Sequence, residues 1–445
     1  MKKLVLISPL ASKSLLGGDF YFRVPYLGLL KVASLTPSDW QVNIVDEKVE
    51  KIDFNLDADL VGITAMTPAA NRGYEIADSF RQRGIKVVMG GMHISKMPEE
   101  ALQHCDGVVV GEAEDLWHRL LEDYEKDELK KIYRQENGYY PSLENRPALN
   151  WDLYRDKGYL PFHSVETTRG CPHNCEFCSV TSSFGGKFRN KPVDEVVKEI
   201  QNLKQFEGRF ILKNVVFFAD DNIISSRRHA KELLERIIPY NLKWLGQASV
   251  NIAKDDEMLS LCRKSGCMGL LIGFESLSPE SLANVGKGFN KPQNYIDVVN
   301  KLHDYGIGIN SSFVLGFDHD DEGTFERTID FVRKAKLDVC YFSILTPYPG
   351  TVLYSRMVKE GRLIDTDWSN YNTNNVVFMP KLMKPEKLLE GYHQVLRESF
   401  SYGSIFKRLW GNGTYKNFFY PMNFGFRQTI RKTIKHKQRF SYEQN

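Results

Sequence analysis

"HSVETTRGCPHNCEFCSV", residues 163–180, begins as a short strand-like run and then places three of the chain's seven cysteines within eight residues. The spacing is C-x3-C-x2-C, at Cys171, Cys175 and Cys178. A structural zinc site takes four ligands, usually as paired knuckles, and no second knuckle follows. Cys262 and Cys267 lie on and just after a helical pattern and read as buried core thiols. His173, inside the triad, is held too near in sequence to serve easily as a fourth ligand. A redox C-x-x-C would use Cys175 and Cys178 and leave Cys171 unexplained. Three thiolates suit an iron–sulfur cubane whose fourth iron stays open to a small molecule.

Outward from this stretch, strand and helix patterns alternate. After "HSVETT" (163–168) come "NVVFFAD" (214–220), "KWLGQASV" (243–250), "MGLLIGFES" (268–276), "GIGINSSFVLGF" (306–317) and "VCYFSIL" (339–345). Helical stretches such as "VDEVVKEIQNLK" (193–204), "RHAKELLERII" (228–238) and "EGTFERTIDFV" (322–332) separate them. Six βα units in this length predict a partial (β/α)6, TIM-like barrel with its site at the carboxyl ends of the strands. The cysteines follow the first of those strands.

A separate βα series occupies the N-terminal part: "KLVLIS" (3–8), "VNIV" (42–45), "LVGIT" (60–64), "KVVMGG" (86–91) and "GVVVG" (107–111). Continuous apolar strands alternating with amphipathic helices, such as 69–84, mean a parallel sheet covered on both faces. This predicts a doubly wound, Rossmann-like α/β domain with its ligand at the strand ends. Those ends carry Thr64, Met66 and Thr67, then Gly90, Gly91 and His93, then Glu112. No G-x-G-x-x-G opens a helix, which argues against a dinucleotide. Residues 125–160, rich in Pro, Asn and aromatics, read as a connector. The expected division is 1–130, a linker 131–160, a barrel 161–370, and a mostly helical region 371–445.

The chain has 445 residues and a net charge of +3, a length that suggests two or three domains. The odd cysteine count does not suggest a disulfide framework and points to a reducing, cytoplasmic setting. "MKKLVLISPLASKS" reads as a first buried strand rather than a signal peptide, because its apolar run is short and holds Ser8 and Pro9. No apolar run is long enough to span a membrane. Charge is uneven: residues 401–445 hold nine Lys/Arg, one acidic residue (Glu443) and eleven aromatics.

The motif Cys171-x3-Cys175-x2-Cys178, with Phe177 before the last cysteine, resembles the radical S-adenosylmethionine (SAM) superfamily. In that family the open iron is chelated by SAM, and the aromatic lies near the adenine. The resemblance extends to "GFES" (273–276), where it implies that Glu275 bonds the ribose. It extends to "FADDN" (218–222), which departs from the usual Gly-Gly-Glu-Pro and offers Asp221 to the SAM amino group. "QASVN" (247–251) offers Gln247 and Ser249, and "FVLGF" (313–317) offers the backbone of Leu315 to adenine. For Asp220 and Asp221 a helix N-cap and turn is the simpler alternative. With a doubly wound domain in front, the chain looks like the cobalamin-binding subfamily. That implies corrinoid contacts from Thr64, Met66, Thr67, Gly90, Gly91, His93 and Glu112. The cobalt-ligating D-x-H-x-x-G motif is missing: the segment after the second strand is "VDEKVEKID" (45–53).

The resemblance implies three cofactors: a [4Fe-4S] cluster, SAM and cobalamin. It implies a 5′-deoxyadenosyl radical that takes hydrogen from an unactivated carbon, followed by methyl transfer from methylcobalamin. No catalytic side chain stands out beyond the cofactor sites. A flavodoxin or ferredoxin would donate electrons. The basic, aromatic tail suggests peripheral membrane contact and a lipid or other hydrophobic substrate; a helical cap with a solvated basic face is the plainer alternative. No nucleic-acid-binding fold is visible. Other readings are a radical cyclase or rearrangement enzyme without methyl transfer, and a non-catalytic cobalamin or SAM sensor. A methylthiotransferase would need three further N-terminal cysteines, and only Cys105 is present.

Overall fold

Strand β1 (Lys2–Ser8) buries both of its faces, which decides the architecture of the first domain. Leu4 and Leu6 pack with Trp40, Ile44, Leu60 and Trp117 on one side. Val5 and Ile7 pack with Val61, Ile63, Ile76 and Phe80 on the other. A strand with alternate residues in two cores is covered by helices on both faces. The computed structural model describes residues 1–11, 23–160, 163–205 and 214–442. Residues 12–14, 161–162 and 443–445 of the stretches discussed above lie outside it.

The first sheet also contains β2 (Trp40–Asp46), β3 (Leu60–Thr64), β4 (Lys86–Gly90), β5 (Gly107–Val110) and β6 (Ile132–Arg134). The strand order is β2-β1-β3-β4-β5-β6 and every pairing is parallel. The chain goes from β1 outward to β2, then returns to add β3 on the opposite side. That reversal leaves a crevice above the carboxyl ends of β1 and β3, where doubly wound sheets bind ligands. Within the connector 125–160, β6 pairs with β5. It is three residues long and only Tyr133 is buried, so it carries no periodic signal.

The second sheet follows: β7 (His163–Val165), β8 (Thr168–Arg169), β9 (Arg189–Asn190), β10 (Val215–Phe218), β11 (Lys243–Ala248), β12 (Cys267–Glu275), β13 (Gly308–Leu315) and β14 (Val339–Ile344). Six of these run parallel in the order β14-β13-β12-β11-β10-β7, while β8 and β9 form a small antiparallel ladder. Each of the six pairs with its sequence neighbour, with helices between, as expected of a partial barrel. Cys262 and Cys267 are buried, as expected of core thiols.

Three helices close the described chain: Pro385–Ser399, Tyr402–Leu409 and Lys416–Tyr442. The first two are separate because the Ser401 hydroxyl accepts from the Ser404 N–H at 3.2 Å and caps a new helix. Arg408 is fully buried and donates to the carbonyls of Leu337, Asp338 and Ser399 and to Asn423 Oδ1. Phe419 presses on the barrel where Gly308 makes room; a Cβ there would stand 2.3 Å from its ring. The last helices are therefore packed onto the barrel.

Candidate cofactor-binding site

The cysteine loop is fixed at its start by Asp220, at the end of β10. This carboxylate is completely buried. It accepts from the N–H of Thr167 at 2.7 Å, the N–H of Thr168 at 3.0 Å, and the Thr167 hydroxyl. Asp220 is thus not a helix N-cap: the next helix, Arg227–Ile237, is capped by Ser226. Asp221 accepts from the Gly170 N–H at 3.1 Å, one residue before Cys171. Burial pushes its carboxyl up to about 6, against the pull of that N–H.

All three thiols of the triad are free and partly buried. Burial raises each of them, Cys175 to about 11. The backbone N–H of His173 opposes this at Cys171, and those of Val180 and Thr181 oppose it at Cys178. Lys287 opposes it at all three. Donors and a cation aimed at sulfur favour thiolate, the form that binds iron. Among the described residues no three His, Cys, Asp or Glu side chains converge on a single metal position. A cubane takes its thiolates on separate irons, so these donors fit it.

The far side of the loop is held by groups that the motif does not announce. Glu176 receives a two-pronged contact from Arg356, at 2.7 and 3.1 Å. Arg356 also binds Asp318 at 2.7 Å. His173 stacks on Phe289, with ring centroids 4.1 Å apart. Phe177 leans on Phe317 at 5.8 Å.

The other candidate SAM residues lie at the same strand ends. Glu275 ends β12 at a φ of 64°, beside a register shift in the β12–β13 ladder. Its carboxylate binds Lys287 at 2.5 Å and accepts from the Ser312 hydroxyl at 3.4 Å. Burial works against the Lys287 charge, but Glu275 and then Cys175 outweigh it and keep the ammonium charged. Gln247 and Ser249 are half-buried at the end of β11. Asn222 accepts from the Ser249 N–H at 3.2 Å, and the Gln247 carbonyl accepts from Ile223 at 3.0 Å. Leu315 is buried, and its carbonyl accepts from Leu345 at 2.9 Å.

A cavity of about 600 Å³ lies between the two sheets. Leu6, Ile63, Thr64, Gly90, Gly91 and Glu112 wall it from the first domain. Thr168, Arg169, Ala219 and Asp221 wall it from the barrel. Gly91 turns the chain at a φ of 103°, where a Cβ would stand 2.7 Å from Thr64 Oγ1. Of the seven candidate corrinoid contacts, four line this cavity and three do not. Met66 points to solvent, 46% exposed. His93 is buried, 3.3 Å from the Thr67 hydroxyl, 3.6 Å from Glu100 and edge-on to Trp368, which reaches it from far along the chain. His93 and Thr67 therefore lie away from this cavity: the short helix Met92–Lys96 turns His93 inward.

Of the charges at the base of the cavity, sequence reasoning picked out Glu112 and missed the rest. Arg169 binds Glu114 at 2.7 Å, Glu166 at 3.0 Å, and Glu112. Arg189 binds Glu112 at 2.8 Å and Lys31 binds Glu166. Burial raises Glu166, but Lys31 and then Arg169 outweigh it and hold it at about 2. These residues join the two domains directly. Among the missed residues Lys31 left a trace in the sequence, as the one charge in the apolar helix Leu27–Leu35.

Comparison with known proteins agrees with this geometry. Residues 165–332 match the radical SAM superfamily, residues 14–121 the B12 binding domain, and residues 351–441 a domain of unknown function, DUF4070. The chain is 34% identical to bacteriochlorophyllide d C-12(1)-methyltransferase of Chlorobaculum tepidum, across 92% of this chain and 90% of that protein. It is 26% identical to hopanoid C-2 methylase of Rhodopseudomonas palustris, across 85% and 75%. Its fold superposes on the radical SAM methyltransferase TsrM of Kitasatospora setae, solved with cobalamin and a [4Fe-4S] cluster. That match has a TM-score of 0.65 and 18% identity and covers 90% of this chain and 85% of the other.

Proposed function

The chain belongs to the cobalamin-binding radical SAM methyltransferases, and from that premise we propose that it methylates an unactivated carbon of a hydrophobic substrate, a lipid or polycycle. The observation that carries this reading is the shared cavity. Strand ends of both domains open on it, and the cysteine loop starts two residues beyond its Arg169 wall. Cys171, Cys175 and Cys178 would hold the cluster, and Thr64, Gly90, Gly91 and Glu112 would face the corrinoid. When bound, the cluster and SAM supply a hydrogen-abstracting radical, and the corrinoid supplies a methyl group.

The chain's own residues position and shield. Asp220 and Asp221 fix the backbone that enters the cysteine loop. The Glu275–Lys287 pair gives SAM one carboxylate and one ammonium at the end of β12, and Gln247 and Ser249 add polar contacts at the end of β11. Phe177, which leans on Phe317, would pack near the adenine. With substrate and cofactors in place, the cavity walls would shield the reacting carbon from water. Substrates of the named relatives, a chlorophyll-type macrocycle and a hopanoid, support an apolar polycyclic class. A flavodoxin- or ferredoxin-type donor supplies electrons. The basic, aromatic C-terminal helices supply peripheral contact with a membrane.

The test uses the anaerobically reconstituted enzyme, cobalamin, a reductant and SAM carrying a trideuterated methyl group, with a fractionated apolar cell extract. The reading predicts one compound that gains a trideuteromethyl group in place of hydrogen. A product that loses hydrogens without gaining a methyl group would favour cyclisation instead.

A further inference from the structure

The helix Tyr402–Leu409 buries Ile405, Arg408 and Leu409 on one side and leaves aromatics on the other. Tyr402, Phe406 and Trp410, spaced by four, are 54%, 50% and 76% exposed. Residues four apart share a helix face. The helix Lys416–Tyr442 adds Tyr420 and Phe424 to this face. Phe406 lies 5.8 Å from Tyr420 and 6.0 Å from Phe424, and Tyr402 lies 6.1 Å from Phe424. Tyr420 and Phe424 stack on each other. Four rings are therefore contiguous, with Trp410 one helical turn further. Tyr420 and Phe424 are half-buried and rest on the core that Phe419, Phe426 and Ile430 fill, while Tyr402, Phe406 and Trp410 stay exposed.

The surround is basic. Lys407, Lys416, Arg431 and Lys432 are exposed, and the Arg427 guanidinium lies 4.0 Å from the Tyr402 ring centre. Residues 401–442 contain no Asp or Glu. Resting on the reading of a lipid-like substrate, we infer that this face, Tyr402, Phe406, Trp410, Tyr420 and Phe424, docks on the surface of an anionic bilayer. Tyr and Trp rings suit the headgroup boundary, where an apolar body meets a polar edge. Lysine and arginine beside them are attracted to anionic lipid. No helix among the described residues is long and apolar enough to cross a membrane, so the contact is at the surface.

The test is co-sedimentation of the full chain with vesicles of phosphatidylcholine alone or mixed with phosphatidylglycerol. Binding should be at least about tenfold tighter to the anionic vesicles and weaken as salt rises. The double variant Phe406→Ser, Trp410→Ser should bind at least about tenfold more weakly, with unchanged circular dichroism. Equal binding by variant and parent would overturn the proposal, as would equal binding to both vesicles. Tighter binding to a duplex oligonucleotide than to anionic vesicles would also overturn it. SAM turnover by the same preparations, without vesicles, separates the two readings. Turnover without sedimentation removes only the docking surface, and sedimentation without turnover supports the surface while removing the chemistry.

Discussion

Replacing Arg169 by Met tests whether the charged cluster, rather than apolar packing, locks the two domains around the cavity. The Arg169 side chain is 7% exposed and serves three carboxylates. In the variant Glu112 keeps Arg189 and Glu166 keeps Lys31. Glu114 loses the guanidinium at 2.7 Å and retains the longer-range field of Lys31 and its own backbone N–H. Removing one member of a buried pair while its partner stays charged costs about 3–5 kcal/mol. For a cooperative unit of the barrel's size that corresponds to a melting temperature lower by roughly 10 °C. The sign with pH follows from Glu166, held at about 2, and Glu114, also lowered. Carboxylates with depressed folded values stabilise above the ordinary carboxylate range, and this stability is lost as pH falls through it toward 2. The gap between parent and variant should therefore be full at pH 7 and shrink at pH 4. Adding Glu114→Gln to the variant should recover part of the loss, as coupled neighbours do. Thermal melts of the three proteins at both pH values provide the measurement. A gap under about 1 kcal/mol at pH 7, or one that does not change at pH 4, would refute the reasoning.

Three further outcomes follow from the site. Lys287→Met should raise the Kd for SAM at least about tenfold by calorimetry on preparations matched for cluster content, since it leaves Glu275 buried without its cation. Glu176→Gln should weaken the Arg356 clamp and lower cluster occupancy after reconstitution, read as iron per chain. Burial holds the His163 imidazole down to about 4. The unfolded chain therefore binds a proton that the folded chain refuses between about pH 6.5 and 4. Stability should fall by about 3 kcal/mol as pH drops through that window, and His163→Phe should remove that part of the slope in urea titrations.

What was legible in the sequence is what repeats or what chemistry constrains. The β1–β5 and barrel strands were visible because both of their faces are buried, which leaves continuous Val, Ile and Leu runs. The triad was visible because its thiols come from one loop. What escaped depends on distant pairing. β6 is a strand only because β5 offers it an edge. Arg169, Glu112, Glu114, Glu166 and Lys31 meet across as many as 135 residues of chain, and Glu176 and Arg356 meet across 180. Single charges have no periodicity, so nothing local marks their meeting. His93 shows the opposite case: it stands at a strand end in sequence, yet the helix Met92–Lys96 rotates it into the core.

The central claim is that three thiolates leave one iron for SAM beside a corrinoid cavity. Electron paramagnetic resonance of the anaerobically reconstituted, reduced chain, with and without SAM and with cobalamin bound, tests it most directly. The expected result is the signal of one reduced [4Fe-4S] cluster per chain that changes when SAM is added, alongside stoichiometric cobalamin. A cluster signal indifferent to SAM, or no cluster at all, would contradict it.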